Sequence, residues 1–243
     1  MFMPYRDRLY KATFIERPNR FIIRARKEDG ETVTAHLPDP GRLIELLIPG
    51  REIWLRYVDN PKRKTQWSAV LCESEDARVY VSLDTMFPNR LITQALKEKR
   101  IESLKKYNYI RAEYPFAGAR WDFLLENKGR SLLLEVKSVT LAENGIAYFP
   151  DAVTARGRKH VEALTTIQNE GNCDTAVLFV VQRGDVTSVR PATHIDPAFA
   201  SALQKAADAG VAMLAVTTDV RLEGVELGQE LPVQLNIQKG PIK

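Results

Sequence analysis

The feature that most constrains the fold is an uninterrupted apolar run, Ala-Val-Leu-Phe-Val-Val, over residues 176–181. With Thr175 and Gln182 at its ends, this run has the length of a strand, and both faces of that strand would be apolar. Strands of this kind lie inside a sheet that is covered on both sides. The chain is therefore predicted to contain an α/β domain.

The residues from Pro88 onward alternate between helical and strand patterns. Asn89 is the expected N-cap of a first helix that runs to Leu104, and Asp151 is the expected cap of a second helix that runs to about residue 169. A third helix is predicted over residues 197–209. The predicted strands of this part cover residues 109–114, 120–125, 131–139, 175–182 and 211–216.

The first third of the chain has a different rhythm, because its strand patterns are short and separated by turn signals such as Asp29-Gly30. Residues 41–48 are predicted to form one or two helical turns before Pro49-Gly50. Three strands, a short helix and two or three further strands is the order of a small OB-type barrel. The predicted strands cover residues 10–15, 20–27, 31–36, 51–58, 66–73 and 78–83. We therefore expect two domains, over residues 1–84 and 85–243.

Composition excludes several classes of protein. The 44% hydrophobic and 27% charged residues are those of an ordinary globular protein. No apolar stretch is long enough for a membrane span, and the first residues lack a signal core, so we expect a cytoplasmic protein with no membrane partner. Cys72 and Cys173 are far apart, which favours buried thiols over zinc or a disulfide. Residues 85–170 carry 14 Lys and Arg against 10 Asp and Glu, which slightly favours a polyanionic partner.

A pattern of acid, any residue and lysine occurs twice in the chain. Residues 126–128 run into a glycine and read as the tip of a hairpin, where charged residues are ordinary. Glu135 and Lys137 instead follow three leucines, and residues two apart on a strand point to the same face. Ionisable groups on a buried strand need to be paired or bound to metal. The second copy is therefore the candidate site.

Asp122 lies on the preceding predicted strand, and the hairpin turn between the strands is expected to bring its carboxylate beside that of Glu135. Two carboxylates are suited to Mg²⁺ or Mn²⁺, with Val136 included in the metal site. The ammonium of Lys137 is suited to orienting or activating a water and to offsetting developing charge. This chemistry is phosphodiester hydrolysis. A purely structural cluster of Asp, Lys and Glu explains the spacing equally well.

These residues resemble a known nuclease core. The segments Arg120-x-Asp122-Phe-Leu-Leu and Glu135-Val-Lys-Ser-Val-Thr-Leu are similar to the PD-(D/E)xK nuclease superfamily, and more closely to the sugar fermentation stimulation protein A family. Further similar blocks are residues 36–43, 149–160 and 179–183. One departure is Asp39-Pro40, where many members are expected to have Asn followed by Ser or Thr.

The resemblance implies an OB-like nucleic-acid-binding barrel at the N-terminus and a restriction-endonuclease-like α/β domain with a mixed central sheet. It also implies DNA binding and a link to the regulation of sugar utilisation. Superfamily members often add an acid from the first helix, for which Glu98 and Glu102 are the available candidates. The sequence does not choose between these two.

Other candidate residues are polar groups near the predicted site. Gln182, at the end of the apolar strand, is predicted to approach Lys137 or a metal-bound water. The start of the second helix is predicted to contact nucleic acid, although a solvated helix face is the alternative. The predicted nucleic-acid-binding residues are Arg156, Arg158, Lys159, His160 and Arg42.

Three functions are compatible with these features. The leading prediction is a Mg²⁺-dependent nuclease, or a close derivative, that binds DNA through the barrel and cleaves in the α/β domain. The alternative is a non-cleaving DNA-binding regulator, although a pure binder has no evident need for two acids that repel phosphate. A carbohydrate-binding barrel protein leaves the acid–lysine cluster unexplained. The sequence does not predict the natural substrate, strandedness or oligomeric state.

Overall fold

Alternating apolar residues build the strands of the first third of the chain. In one of them Ile23 and Ala25 are buried while Arg24 and Arg26 are exposed. The computed structural model describes residues 1–76 and 78–235, so residues 236–243 of the second predicted domain lie outside the described part. The strands here are β1 (Phe2–Pro4), β2 (Leu9–Asn19), β3 (Ile22–Lys27), β4 (Thr32–His36), β5 (Glu52–Tyr57), β6 (Trp67–Glu73) and β7 (Tyr80–Ser82).

Strands β2 to β6 form a closed barrel. They follow the order β4-β3-β2-β5-β6, and a parallel pairing of β4 with β6 places Ala35 opposite Trp67 and closes the circle. β7 extends the barrel sheet beside β6. The predicted OB-like barrel is confirmed.

The segment after β4 forms a single turn rather than a helix. The N–H of Leu47 donates to the carbonyl of Leu43, and Leu43 itself has a φ of 50°, so that no right-handed helix extends through it on the N-terminal side. Leu43 and Leu46 are fully buried in the barrel core. The turn therefore covers the barrel interior, and it is the shorter of the two lengths predicted, one helical turn.

The rest of the chain forms an α/β domain. Its central sheet has the order β1-β16-β15-β13-β10-β9-β8, in which β10, β13 and β15 are parallel and the other pairs are antiparallel. The predicted mixed sheet is confirmed. The elements are α1 (Phe87–Lys97), a 3₁₀ helix (Glu102–Leu104), β8 (Asn108–Phe116), β9 (Ala119–Asn127), β10 (Arg130–Val139), β11 (Ala142–Glu143), β12 (Ile146–Phe149), α2 (Ala155–Glu170), β13 (Asp174–Val181), β14 (Ser188–Pro191), α3 (Pro197–Asp208), β15 (Ala212–Val220) and β16 (Gly224–Glu230).

Strand β13 is the apolar run with which the fold prediction began. Its residues Val177 and Phe179 pack into the core on the side of α2 and α3, whereas Ala176 and Leu178 pack on the side of α1. The prediction of a strand covered on both faces is confirmed. The small sheet β11-β12-β14 was not predicted.

The first helix begins and ends earlier than predicted. It starts at Phe87 with Met86 as N-cap, because proline suits the first helical turn and Asp84 accepts the N–H of Met86. Asn89 is therefore inside the helix rather than its cap. The helix stops at Lys97 because Lys99 has a φ of 54°, and only the separate 3₁₀ helix reaches Leu104.

The second helix also has a different cap from the predicted one. The Thr154 hydroxyl accepts the N–H of Gly157, which satisfies a free donor of the first turn. Asp151 instead accepts the N–H of Arg42, which lies in the barrel domain. A residue predicted to cap a helix therefore joins the two domains.

Strand β1 lies outside the barrel. It pairs antiparallel with β16 and is the edge strand of the α/β sheet, so the two ends of the barrel segment are both attached to the second domain. An apolar cluster also joins the domains, with Trp54 and Leu71 from the barrel packed with Phe87 and Leu91 of α1. No helix in the described part of the chain is long and apolar enough to cross a membrane.

Candidate functional site

The candidate site lies where two strands separate. β9 and β10 pair from the turn up to the position where Phe123 lies opposite Leu134. Beyond it β10 continues beside β13, and β9 continues beside β8. Asp122 and Glu135 are the first residues past this last pair. The two acids predicted to lie together therefore stand at the opening of a fork, which we call the strand fork.

Asp122 is held on both carboxylate oxygens. Its Oδ1 accepts a hydrogen bond of 2.7 Å from Nδ2 of Asn89 on α1, and its Oδ2 accepts one of 2.7 Å from the N–H of Val136. Burial, and next the negative charge of Glu135, raise the pKa of Asp122 to about 6 against the effect of these hydrogen bonds. A neighbouring positive charge would stabilise its ionised form.

Glu135 is 5% exposed and is surrounded by cationic or proton-donating groups. Its Oε1 accepts from Nζ of Lys137 at 2.7 Å and lies 2.6 Å from Nδ1 of His160 on α2. Burial alone would raise the pKa of Glu135, but the hydrogen bonds and charges of His160 and Lys137 together lower it. The ring of Trp121 meets the His160 ring edge-on, with 5.8 Å between centroids. These contacts therefore favour the ionised form of Glu135.

The two acids have environments that pull their pKa values apart, a pattern that is frequent at functional sites. Within residues 1–76 and 78–235, no group of three or more His, Cys, Asp or Glu side chains is arranged to hold a metal. A magnesium ion needs no such group, because it is usually held by one or two carboxylates and keeps several waters. Asp122, Glu135 and the carbonyl of Val136 are the groups that could hold one.

Gln182 takes a different position from the one predicted. It is 1% exposed, and its Nε2 donates to Oγ of Ser138 at 3.3 Å and to the carbonyl of Asp84 at 3.4 Å instead of approaching Lys137. The reason is the alternation of side chains on β10, where Ser138 and Lys137 face opposite sides of the sheet. Gln182 lies against the segment that connects the two domains.

The predicted basic cluster is divided by the geometry of α2. Arg156 and Lys159 are exposed, and Arg158 is partly exposed with its Nε 3.5 Å from Glu162. His160 instead turns inward to Glu135. The first three side chains reach solvent, whereas His160 contacts Glu135 at the strand fork.

Arg42 is exposed in the loop between β4 and β5, a barrel loop that contacts the second domain. Its N–H donates to Oδ2 of Asp151 at 2.8 Å, and its carbonyl accepts from Arg17 at 2.7 Å. Gly41 packs directly on the Asp151 carboxylate, so that a side chain at residue 41 would collide with it. The loop is thus held close to the start of α2, which leaves the Arg42 guanidinium free in solvent on this side of the molecule.

Neither acid proposed from the first helical region reaches the site. Glu98 bonds to Gln94 and Arg100, and Glu102 bonds to Lys105. The residue that α1 contributes is Asn89, which the sequence analysis missed because asparagine is a favoured N-cap. The Pro88 that precedes it was the available signal, since proline at the first turn places the next residue inside a helix.

Two family models match the chain. The model described as the SfsA N-terminal OB domain matches residues 15–82, and the model described as the sugar fermentation stimulation protein RE domain matches residues 86–224. Together they cover most of the chain and meet where the barrel gives way to α1.

Relatives that align with nearly the whole chain are also described as sugar fermentation stimulation proteins. A sugar fermentation stimulation protein homolog of Shouchella clausii is 44% identical over 93% of this chain and 97% of its own length. A homolog of Thioalkalivibrio sulfidiphilus is 40% identical over 96% of this chain and 99% of its own length. The solved structure of Pyrococcus furiosus SfsA in complex with Ca²⁺ has a TM-score of 0.85 and 25% identity, and the match covers 96% of this chain and 98% of that one.

Proposed function

The chain belongs to the sugar fermentation stimulation protein family, and we propose that it is a DNA-binding protein that hydrolyses phosphodiester bonds with Mg²⁺ or Mn²⁺ at the strand fork. The observation that carries this proposal is the arrangement at the strand fork, where the half-buried Asp122 lies beside the buried Glu135 and Glu135 bonds to the ammonium group of Lys137. The restriction-endonuclease-like fold of the second domain is consistent with it.

A divalent cation fits the groups at the fork. The raised pKa of Asp122 reflects burial and then the charge of Glu135, and an ion between the two carboxylates would relieve that repulsion. The ligands are oxygens, which hard cations prefer. The Ca²⁺ complex of the Pyrococcus relative supports a divalent site in this family. A bound ion would stabilise charge on the phosphate and make its water a better nucleophile.

The protein side chains have separate tasks in this proposal. The Lys137 ammonium, bonded to Glu135, would orient the attacking water and offset the charge that develops on phosphate. His160 donates its Nδ1 proton to Glu135 and fixes that carboxylate. Asn89 and the N–H of Val136 do the same for Asp122. Both acids are thus oriented before substrate arrives.

The DNA partner rests on charge and on the barrel. Arg156, Arg158 and Lys159 stand at the start of α2, where backbone N–H groups and the helix dipole favour a phosphate. OB barrels often hold oligonucleotides. The proposed link to sugar utilisation is supported by the names of the relatives. A cytoplasmic location is part of the proposal, because DNA is accessible there.

One observation favours the alternative, a DNA-binding regulator that does not cleave. Three of the four carboxylate oxygens at the fork already accept hydrogen bonds within the protein. The cluster could therefore hold the strands in place without a metal. The two functions differ in what the removal of Lys137 should do.

The deciding experiment compares Lys137→Ala with Lys128→Ala, which alters the exposed lysine of the other acid–x–lysine triplet. For a nuclease, Lys137→Ala abolishes Mg²⁺-dependent cleavage and leaves DNA affinity nearly unchanged, because the group acts on the chemical step. For a regulator, the wild type cleaves no DNA, and the variant loses stability by roughly 3–5 kcal/mol because a buried acid loses its partner. Cleavage, affinity and thermal unfolding are measured on each protein.

A further inference from the structure

A cleft of about 330 Å³ lies between the two domains, beside the strand fork. The barrel loop forms one wall, the end of β10 forms the floor, and the segment leading into α2 forms the other wall. Representative lining residues, which define the interdomain cleft, are Asp39, Thr85, Ser138, Thr140, Asp151 and Thr154. This volume is at the lower end of the range for small-ligand pockets, about 300–1,000 Å³.

The cleft and the strand fork share a strand and a helix. Ser138 follows Lys137 directly on β10, and Thr140 is three residues beyond it, which places the floor about 3–10 Å along the strand at 3.3 Å per residue. On the other wall, Thr154 caps α2, the helix that carries His160. Because Ser138 and Lys137 face opposite sides of the sheet, a nucleic acid with a phosphate at the fork would reach the cleft around the carboxyl end of β10.

The charges that line the cleft favour an uncharged group of a nucleic acid, such as a base, over a phosphate. Two lining side chains are carboxylates, those of Asp39 and Asp151, and one lining side chain, Arg20, is a cation. Among the described residues, only the N–H of Gly41 donates to the Asp39 carboxylate, at 2.8 Å, so this carboxylate can accept further hydrogen bonds from a ligand. The exposed cations Arg156 and Lys159 lie beyond the cleft, on α2. Phosphate is therefore favoured on the helix and disfavoured in the cleft.

The remaining lining is suited to a flat heterocycle with polar edges. Tyr148 and Phe149 are half-buried and supply apolar surface, and the half-buried Ser138 lines the cleft beside them. A base that is stacked and paired in a duplex presents neither its faces nor its Watson–Crick edge to such a cleft. An unpaired base presents both.

We infer that the interdomain cleft binds the base of an unpaired nucleotide that adjoins the phosphate at the strand fork. This inference rests on the proposed function and narrows its substrate to nucleic acid with a single-stranded segment at the site. The barrel and the α/β domain then act together, because each supplies one wall of the base pocket. The carboxylates accept hydrogen bonds from base N–H groups, and the start of α2 receives the backbone.

The test measures binding without metal, so that it does not depend on cleavage. The probes are a fluorescein-labelled single-stranded DNA of about 12 nucleotides, within the range of site sizes for an OB barrel, and a blunt duplex of the same sequence. Ala152, which is half-buried and lines the cleft, is replaced by tryptophan to fill it. Ala198→Trp makes the same change on the exposed face of α3, outside the cleft. Thermal unfolding is measured to check that both variants are folded.

We expect the wild type to bind the single strand about ten-fold more tightly than the duplex, as one accommodated base would provide. Ala152→Trp removes this preference and leaves duplex affinity unchanged, whereas Ala198→Trp changes neither. Equal affinity for both probes, or a preference that persists in a folded Ala152→Trp protein, overturns the inference. Competition by glucose in place of deoxynucleoside monophosphate also overturns it. If the wild type cleaves duplex DNA but has no preference for the single strand, the base-binding cleft is wrong and the nuclease proposal stands. If it has the preference but cleaves no DNA, the nuclease proposal is wrong and the base-binding cleft stands.

Discussion

Nδ1 of His160 lies 2.6 Å from Oε1 of Glu135, so that a residue of α2 orients an acid of β10. The neighbouring residue on the helix, Lys159, points to solvent. One helix start thus presents cations to the outside and a proton donor to the buried carboxylate. Under the proposed function, a phosphate that contacts the start of α2 would be held near the strand fork by the same helix that orients Glu135.

The contact between His160 and Glu135 predicts a graded response to substitution. His160→Phe removes the donor and should weaken Mg²⁺ affinity and cleavage by roughly 10–100-fold, the usual effect of losing a group that orients a metal ligand. His160→Asn keeps a donor and should recover part of both. Calorimetric Mg²⁺ titration and cleavage rates of the three proteins provide the check. Equal losses in both variants would point to a packing role against Trp121.

Metal binding should depend on Asp122 and on pH. The wild type is expected to bind Mg²⁺ or Mn²⁺, and Asp122→Asn should lose most of this affinity, because a carboxylate is replaced by a neutral amide. The pKa of Asp122 is raised to about 6 by burial and then by Glu135, so protons compete with the ion below that pH and affinity should fall as pH decreases from 7 to 5.

The control for this titration is Asp219→Asn, which alters an acid bonded to Arg221 away from the fork. It should bind metal as the wild type does. Equal binding by the wild type and Asp122→Asn, or an affinity that does not change with pH, would remove the metal from the strand fork.

The start of α2 should contribute to the salt dependence of DNA binding. Replacing Arg156 and Lys159 by alanine should weaken binding to all sequences and reduce the slope of log affinity against log salt by about 1–2, since each neutralised phosphate contributes about 0.9. Affinity is measured over a series of salt concentrations. Lys105→Ala with Lys106→Ala removes two exposed lysines elsewhere and should change the slope less. An unchanged slope in the α2 variant would assign its cations to a solvated face.

Asp39 should make the protein less stable at neutral pH than at acidic pH. Burial raises its pKa from 3.8 to about 6, so the folded protein holds this proton more tightly than the unfolded chain does. This contribution is present in full below about pH 4, is lost as the pH rises to about 6, and is absent above that. Asp39→Asn keeps the acceptor for the N–H of Gly41. It should raise the free energy of unfolding at pH 7 by up to about 3 kcal/mol.

The measurement is denaturant unfolding of both proteins at several pH values. The difference between them should be largest at pH 7 and should vanish near pH 4. A difference of the same size at every pH would mean that the substitution acts through packing rather than through ionisation.

The sequence predicted the parts of the fold that depend on local patterns. The apolar strand β13 and the alternating strands of the barrel were recognisable because burial leaves a period along the chain. Glu135 and Lys137 were recognisable because charge is costly at the end of an apolar strand. Each of these features can be recognised from residues that are close together in the sequence.

Residues whose partners are distant in sequence were assigned wrongly or missed. Asp151 and Asn89 both have side chains that cap helices well, but each bonds to a residue outside its helix, Arg42 and Asp122 respectively. His160 was grouped with its basic neighbours, although helical periodicity turns it inward. Gln182 was placed with Lys137, although side-chain alternation on β10 brings it to Ser138. Tertiary contacts decided all four positions.

The pairing of β1 with β16 sets an order of events during synthesis. Phe2 lies opposite Glu226, a separation of 224 residues, so β1 leaves the ribosome about 11–45 s before its partner at ordinary rates of translation. The barrel strands pair mainly with near neighbours and can form within that interval. The strand β1 can therefore take its place in the sheet only after residue 226 has been made, and the barrel strands have that interval in which to pair.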